Sequence, residues 1–260
     1  MKPLLSIFKI GGNIIEDADE LRRFLRSFSD YDGSKILVHG GGKKASQLLT
    51  TLGIKPQMVN GRRITDEATL EVVVMVYAGL INKRLVSQLQ ALGTNAIGMS
   101  GADANSIQAQ KRPAHELDYG FVGDIDVVAA NTLTHMLDLG LTPVFCALTH
   151  DDNGQLLNTN ADTIASELAI ALSTHFQKIV LNYCFEYHGV LTDVRDSDSI
   201  IPHINSQSYQ ELIANGIITQ GMLPKLQNCF HALEQGVSEV RIGNLGLFDK
   251  TTANYTQLVL

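Results

Sequence analysis

The chain has 260 residues, of which 45% are hydrophobic and 18% charged, and it contains 22 glycines. This composition is typical of a folded, enzyme-like α/β protein and excludes disordered and fibrous classes. Since 20 basic residues face 27 acidic ones, no overall field favours nucleic acid or an anionic membrane surface, and any anionic ligand must be held by a local pocket.

Short apolar runs alternate along the chain with segments of helical periodicity. The predicted strands are Leu4–Ile10, Lys35–Val38, Asn95–Met99, Thr142–Leu148, Lys178–Tyr183 and Glu239–Ile242. The predicted helices are Asp19–Phe28, Lys44–Leu52, Asp66–Leu92, Asn131–Leu139, Asp162–Leu172 and Leu223–Gln235. Because alternating strands and helices require crossover connections, the sequence predicts a mainly parallel sheet covered by helices on both faces.

The interval from Ala102 to Val128 interrupts this alternation. It is polar and rich in turns, and it contains FVGDIDVV, in which apolar and acidic residues alternate as in an exposed hairpin that could form a flap over a ligand. No linker marks a domain boundary, so two lobes would share one continuous sheet. We place the division near residue 174, with an N-terminal lobe of residues 1–174 and a C-terminal lobe of residues 175–260.

The cysteines and the N-terminus predict a cytoplasmic protein. Cys146, Cys184 and Cys229 lack metal-ligand spacing, which favours buried free thiols in a reducing compartment, and no metal site is expected. The apolar run that ends at Lys9 is too short for a signal peptide. No segment offers the ~20 apolar residues of a membrane span.

Two glycine-rich loops follow predicted strands, in FKIGGN and VHGGGKK. The amides of Gly11, Gly12, Gly41 and Gly42 could bind phosphate oxygens at the carboxyl edge of the sheet, although these glycines could also serve chain reversal alone. Neither loop has the spacing of a Walker or Rossmann motif.

Two lysines occupy positions that an anion would stabilise. Lys9 is the charged residue of an apolar strand, and Lys225 lies at the start of a helix, where its cation opposes the helix dipole. Each could instead be solvated. Asn158 and Asp162 flank the start of another helix, where Asn160 or Asp162 could act as the N-cap. Together with the glycine loops, these groups are typical of phosphoryl transfer.

The motifs that carry these residues occur in an order that resembles the amino acid kinase family. They are FKIGG, VHGGGK, NGRRITD, GLINKRLV, GMSGADANSI, YGFVGDI, LNTNADTIASELA and QGMLPKL. The resemblance implies a three-layer αβα sandwich, with an N-acyl-L-glutamate bound by the N-terminal lobe and ATP by the C-terminal lobe. It also implies an arginine-biosynthetic kinase whose acceptor is the side-chain carboxylate of N-acetyl-L-glutamate.

The resemblance also implies roles for individual residues. Lys9 and Lys225 would neutralise the transferring phosphoryl group, Asp162 would hold both lysines, and the glycine amides would bind the γ-phosphate. Arg63 would bind the substrate α-carboxylate, a task that suits its planar fork, and Asn158 would contact the α-substituents. Mg²⁺ would be held through the nucleotide phosphates.

The chain departs from the family pattern at three places. Asn182 and Tyr183 stand where a Ser/Thr-Asp pair is usual, which puts the nucleotide contacts of the segment Asn182–His188 in doubt. Lys43 stands where proline is common. Arg62 stands where an apolar residue is usual.

Arg62 leads to a hypothesis about the acyl group. It could adapt the acyl pocket or its entrance to an extra negative charge, as in N-succinyl-L-glutamate, or it could simply point into solvent or pair with an acidic neighbour at the dimer surface. A further alternative, which the altered nucleotide segment raises, is a catalytically silent amino-acid-binding homologue. We expect a homodimer built partly on Asp66–Leu92. We also expect no feedback by arginine, because the resemblance implies that arginine-inhibited members carry an additional N-terminal helix, and a first strand that begins by about Leu4 leaves no room for it.

Overall fold

The computed structural model describes residues 2–59, 61–114, 116–193, 195–218, 222–249 and 254–260. Asn60 of the NGRRITD motif, and the Gln-Gly pair of QGMLPKL, lie outside the described residues. The chain forms two compact units: unit 1 comprises Met1–Lys35 and Ala165–Leu260, and unit 2 comprises Ile36–Ile164. These units differ from the lobes 1–174 and 175–260, whose division of labour stays a prediction.

Strands and helices alternate as the sequence predicts. The strands are β1 (Lys2–Ile10), β2 (Ser34–His39), β3 (Met58–Val59), β4 (Arg62–Arg63), β5 (Ala96–Met99), β6 (Ile107–Lys111), β7 (Gly123–Val128), β8 (Thr142–Cys146), β9 (Leu148–His150), β10 (Leu156–Asn158), β11 (Phe176–Cys184), β12 (His203–Ile204), β13 (Glu239–Gly243) and β14 (Thr256–Leu258). The α-helices are α1 (Gly12–Glu16), α2 (Ala18–Asp30), α3 (Gly42–Thr51), α4 (Glu67–Val74), α5 (Asn82–Ala91), α6 (Ala130–Asp138), α7 (Ala161–Leu172), α8 (Ser206–Ala214) and α9 (Leu223–Glu234). The predicted α/β class is confirmed.

Unit 1 contains a mainly parallel set of strands in the order β12, β14, β13, β11, β1. β1, β11 and β13 run parallel, and β14 runs antiparallel to β13. Residues Leu5 to Phe8 of β1 are all buried, so both faces of this strand are covered. This burial explains why β1 is apolar along its length and does not alternate between apolar and polar residues. Parallel strands end at the same edge, so the C-terminal residues of β1 and β11 lie side by side.

Within unit 1, an aromatic cluster packs helix α2 against strand β1. Asp17 caps α2 by accepting hydrogen bonds from the amides of the next turn. The ring of Phe8 lies 5.4 Å from that of Phe28 and 4.9 Å from that of Phe248, measured between centroids. Such pairs stabilise a core beyond the area that they bury. They hold β1, and with it Lys9, in a fixed position.

Unit 2 contains the parallel strands β2, β8 and β5, in that order, and a smaller sheet with the order β10, β9, β6, β7. β6 and β7 form an antiparallel pair, so the predicted hairpin is confirmed. The predicted single strand Thr142–Leu148 is wrong: it divides at Ala147, and the chain passes from one sheet to the other. The carbonyl oxygen of Ala147 accepts a hydrogen bond from Thr159, which takes it out of the β8 ladder.

The predicted long helix Asp66–Leu92 is confirmed, but its centre is not α-helical. Asp66 caps α4 by accepting a hydrogen bond from the Thr69 amide at 2.8 Å. Between α4 and α5, Met75–Ile81 forms a π-helical segment. Such segments are rare and are frequent at functional sites.

Within the described part of the chain, every helix is too short or too polar to cross a membrane. All three cysteines are buried free thiols, as predicted. Burial raises the pKa of Cys146 to about 12, so this thiol stays protonated and unreactive.

A buried polar network anchors the turn from β2 into α3. The Nδ1 atom of His39 lies 2.8 Å from the backbone carbonyl oxygen of Gly40, and its Nε2 atom lies 3.0 Å from the side-chain nitrogen Nδ2 of Asn82. The same nitrogen of Asn82 donates to the carbonyl oxygen of Val144 at 2.8 Å. Because a carbonyl only accepts, Nδ1 carries the proton and Nε2 accepts from Asn82. The network therefore requires a neutral imidazole.

This requirement makes the stability of the fold depend on pH. Burial lowers the pKa of His39 to about 4, below its ordinary value of 6.5. Since the unfolded chain binds a proton at His39 in this interval and the folded chain does not, the stabilising contribution is present above pH 6.5 and is lost as the pH falls toward 4. We expect His39→Gln to flatten the fall in the free energy of unfolding over this window, measured by urea denaturation. The exposed His203 supplies the control His203→Gln, and an unchanged slope in His39→Gln would contradict the prediction.

Candidate functional site

Arg63 is a buried cation in unit 2 whose guanidinium group is only partly paired. The residue is 6% exposed and lies on β4, which pairs with β3. Its Nη2 atom donates to the carbonyl oxygen of Gly42 at 2.9 Å and to Oγ of Ser46 at 2.7 Å. Its Nη1 atom is buried and has no hydrogen-bond partner among the residues that the structure describes. A buried, unsatisfied guanidinium edge is costly, and a carboxylate is the group that best satisfies it.

Thr65 joins Arg63 to Asn158. The Nδ2 atom of Asn158 donates to Oγ1 of Thr65 at 3.0 Å, and this hydroxyl donates to the carbonyl oxygen of Arg63 at 3.2 Å. Two backbone hydrogen bonds attach Thr65 to the segment Tyr119–Phe121. The structure thus brings together two predicted substrate-binding residues of unit 2. Sequence reasoning did not single out Thr65, although its place in the NGRRITD motif was a usable signal.

The second glycine loop begins helix α3. Gly41 is its N-cap and has no side chain to satisfy the first amides of the helix, and Gly42 is its first residue. Free amides at a helix N-terminus after a parallel strand form a favourable site for phosphate. Because the Gly42 carbonyl also accepts from Arg63, this loop and the arginine are held as one structure. Lys43 continues the helix without a break.

The first glycine loop differs from the expectation at Gly11. Its amide donates to the carbonyl oxygen of Cys184 at 3.0 Å and so continues the ladder between β1 and β11. This amide is already engaged, whereas Gly12 is the first residue of the short helix α1. The sequence could not reveal this, because the ladder extends one hydrogen bond beyond the last strand residue, Ile10.

The two predicted catalytic lysines converge within unit 1. Lys9 is half-buried and lies beside Tyr183 in the register of β1 and β11. The Nζ atom of Lys225 lies 5.3 Å from the centroid of the Tyr183 ring, a cation–π contact. Burial raises the pKa of the Cys184 thiol, and the charges of Lys9 and Lys225 oppose that shift. Both lysines therefore lie near the carboxyl end of β11, where Lys9 is beside Tyr183 in the register and Lys225 contacts the Tyr183 ring.

The hydrogen bonds at the start of α7 show which of the two candidate residues, Asn160 or Asp162, is the N-cap. Oδ1 of Asn160 accepts hydrogen bonds from the amide of Asp162 at 2.7 Å and from that of Thr163 at 3.4 Å. Asn160 is therefore the residue that caps the helix. Asp162 is half-buried in the first turn, and its role toward the lysines stays a prediction.

Two departures from the family pattern have different environments. Arg62 is exposed, and it lies beside the buried Arg63 on a strand whose side chains alternate between faces. Its predicted effect on the acyl pocket stays a prediction. Asn182 is 2% exposed, and its Nδ2 atom donates to the carbonyl oxygens of Ile7 and Val180 at 3.4 and 3.3 Å. The side chain of Asn182 therefore makes hydrogen bonds to the backbone of β1 and β11.

Comparisons with known proteins identify the family. An acetylglutamate kinase from Phocaeicola vulgatus is 53% identical over 242 residues, which cover 93% of this chain and 94% of that protein. The fold resembles that of a solved N-acetylglutamate synthase from Neisseria gonorrhoeae, with a TM-score of 0.83, 20% identity, and coverage of 100% of this chain and 60% of that one. It also resembles a carbamate kinase from Giardia lamblia, with a TM-score of 0.68, 14% identity, and coverage of 99% and 98%. Residues 5–244 match the model of the amino acid kinase family, and the chain belongs to that family.

Proposed function

We propose that this chain transfers the terminal phosphoryl group of ATP to the side-chain carboxylate of N-acetyl-L-glutamate, a step of arginine biosynthesis in the cytoplasm. The observation that carries the proposal is the buried Nη1 edge of Arg63, which suits a substrate carboxylate. The 53% identity to an acetylglutamate kinase supports the same substrate.

Unit 2 supplies the groups that bind the acceptor. Arg63 binds the α-carboxylate through the edge that its bonds to Gly42 and Ser46 leave available. Asn158, oriented by Thr65, contacts the α-substituents. Two fixed polar contacts at one end of the substrate orient the side-chain carboxylate at the other end, which lowers the entropic part of the barrier.

Unit 1 supplies two cations for the phosphoryl group. A carboxylate oxygen of the acceptor attacks the γ-phosphorus, the bond to the β,γ-bridging oxygen breaks, and an acyl phosphate and ADP result. Lys9 and Lys225 stabilise the negative charge on the transferring group. In unit 2, the helix N-terminus after Gly41 offers backbone amides that also suit phosphate oxygens. Mg²⁺ carried by the nucleotide phosphates would supply further neutralisation.

Trapping of the product with hydroxylamine tests this function. We expect hydroxamate from N-acetyl-L-glutamate with ATP and Mg²⁺, because an acyl phosphate reacts with hydroxylamine. Lys225→Met should lower kcat by about 100-fold or more, since it removes a donor to the transition state. Arg63→Lys should instead raise KM for the acceptor by about tenfold, because the single ammonium group cannot replace a two-pronged contact.

The exposed Arg22 on α2 provides the control variant Arg22→Lys, which should leave both constants unchanged. If the wild-type chain yields no hydroxamate with any N-acylglutamate, the catalytically silent binding homologue is favoured instead.

A second candidate substrate is N-succinyl-L-glutamate. The observation in its favour is the exposed guanidinium of Arg62, next to Arg63 on β4, which could reach a succinyl carboxylate. A charge-assisted contact contributes about 1.5 to 3 kcal/mol, so we expect Arg62→Leu to lower kcat/KM for the succinyl substrate by about tenfold or more. The acetyl substrate should be unaffected, and Arg62→Lys should retain most of the succinyl activity. A strong acetyl preference that Arg62→Leu does not alter would rule out this role.

We further propose a homodimer built on the helical region from α4 to α5, without feedback by arginine. Met75 is 54% exposed in the π-helical segment, and Gly79, one turn further, is also exposed. The exposed apolar side chain of Met75 and the exposed backbone of Gly79 would suit contact with a second copy. Light scattering should give twice the mass of one chain, and Met75→Glu should halve it. Leu139→Glu, at an exposed site after α6, is the control. A hexamer, or inhibition by micromolar arginine, would contradict the proposal.

A further inference from the structure

Tyr77 occupies a position that links the glycine loop to the substrate arginine. It lies in the π-helical segment Met75–Ile81 and is only 5% exposed. Its ring packs so closely on Gly41 that a Cβ atom there would lie 2.7 Å from Cδ1 of Tyr77 and 2.6 Å from Cδ1 of Ile81. Gly41 must therefore be glycine, because a side chain would displace the tyrosine.

The hydroxyl end of Tyr77 reaches Arg63. A Cβ atom on Gly42 would lie 3.8 Å from the tyrosine oxygen and 3.9 Å from Nη2 of Arg63, so both groups border the same point. Burial raises the pKa of Tyr77, while the positive charge of the neighbouring Arg63 acts in the opposite direction. The phenol therefore stays neutral and lies beside the guanidinium group.

A packing role alone does not account for this hydroxyl. Phenylalanine would fill the same volume without the cost of burying a polar atom, and buried tyrosine hydroxyls normally have a partner. Here the polar group nearest to the hydroxyl at the Gly42 position is the guanidinium group of Arg63, whose Nη1 edge is left for a ligand. The π-helical segment holds Tyr77 and Ile81 together against Gly41. This rare backbone geometry therefore occurs where the helix packs on the glycine loop.

We propose that Tyr77 is a positioning residue for the acyl amino acid: its ring fixes the Gly41 turn, and its hydroxyl holds the Arg63 guanidinium so that Nη1 meets the substrate carboxylate. This inference rests on the proposed function for the identity of the substrate. It predicts separate effects for the two parts of the side chain, since the hydroxyl acts on substrate binding and the ring acts on the phosphate-binding turn.

Two substitutions separate these parts. Tyr77→Phe keeps the ring and removes the hydroxyl, so we expect KM for N-acetyl-L-glutamate to rise about tenfold, with kcat and KM for ATP within about twofold of the wild type. Tyr77→Leu removes the ring as well, and kcat should also fall because the Gly41 turn loses its support. Tyr31→Phe is the matched control, since Tyr31 belongs to unit 1 and its hydroxyl makes a hydrogen bond of 2.7 Å with Ser6.

The outcomes distinguish the inference from the function on which it rests. If the wild-type chain makes the acyl phosphate and Tyr77→Phe leaves KM for the acceptor unchanged, the inference is overturned and the function stands. A purely structural role would lower the melting temperature of Tyr77→Phe and Tyr31→Phe alike without moving KM. If the wild-type chain makes no product, the function fails, and calorimetric titration with N-acetyl-L-glutamate decides the inference: an equal Kd for the wild type and Tyr77→Phe overturns it.

Discussion

The burial of the Arg63 guanidinium group is the constraint on which the candidate substrate site depends. An arginine that is 6% exposed must have its donors satisfied or its charge compensated. The carbonyl oxygen of Gly42 and the hydroxyl of Ser46 satisfy one nitrogen, and these two hydrogen bonds attach the first turns of helix α3 to Arg63. The other terminal nitrogen has no partner among the described residues, so the stability of the site and its affinity for an anion are linked.

Two glycines near Arg63 and Thr65 allow the chain to pack more closely there than any other residue would. Gly41 permits an approach by Tyr77 and Ile81 that no side chain would allow. Gly120, with a positive φ of +75°, permits the Tyr119–Phe121 segment to pass so close to Thr65 that a Cβ atom would lie 2.2 Å from its carbonyl oxygen. Both glycines serve close packing around Arg63 and Thr65. Glycine-rich sequence near a phosphate loop therefore need not act on phosphate at every position.

The sequence was sufficient for most regular elements. Periodicity located the principal strands and helices because burial imposes a repeat on each. Lys9 and Lys225 were singled out because cations are costly in such places, and Arg63 was singled out by the family resemblance. Contacts between distant residues were not predictable: Thr65 meets Asn158, 93 positions away, and no local pattern marks that pair. The π-helical segment and the division of strand Thr142–Leu148 also depend on packing partners elsewhere in unit 2. Tyr77 reads as an ordinary core residue until Gly41 and Arg63 are placed beside it.

The altered nucleotide segment has a similar physical explanation. Asn182 replaces a short polar residue of the family, and its amide donates to two backbone carbonyls inside the sheet of unit 1. Tyr183 replaces an acidic residue, and its ring lies against the ammonium group of Lys225. A cation–π contact attracts the lysine without cancelling its charge, as a carboxylate would in large part. The altered segment therefore keeps a contact with Lys225 at this position, so the place of this lysine in unit 1 does not depend on an acidic residue at position 183.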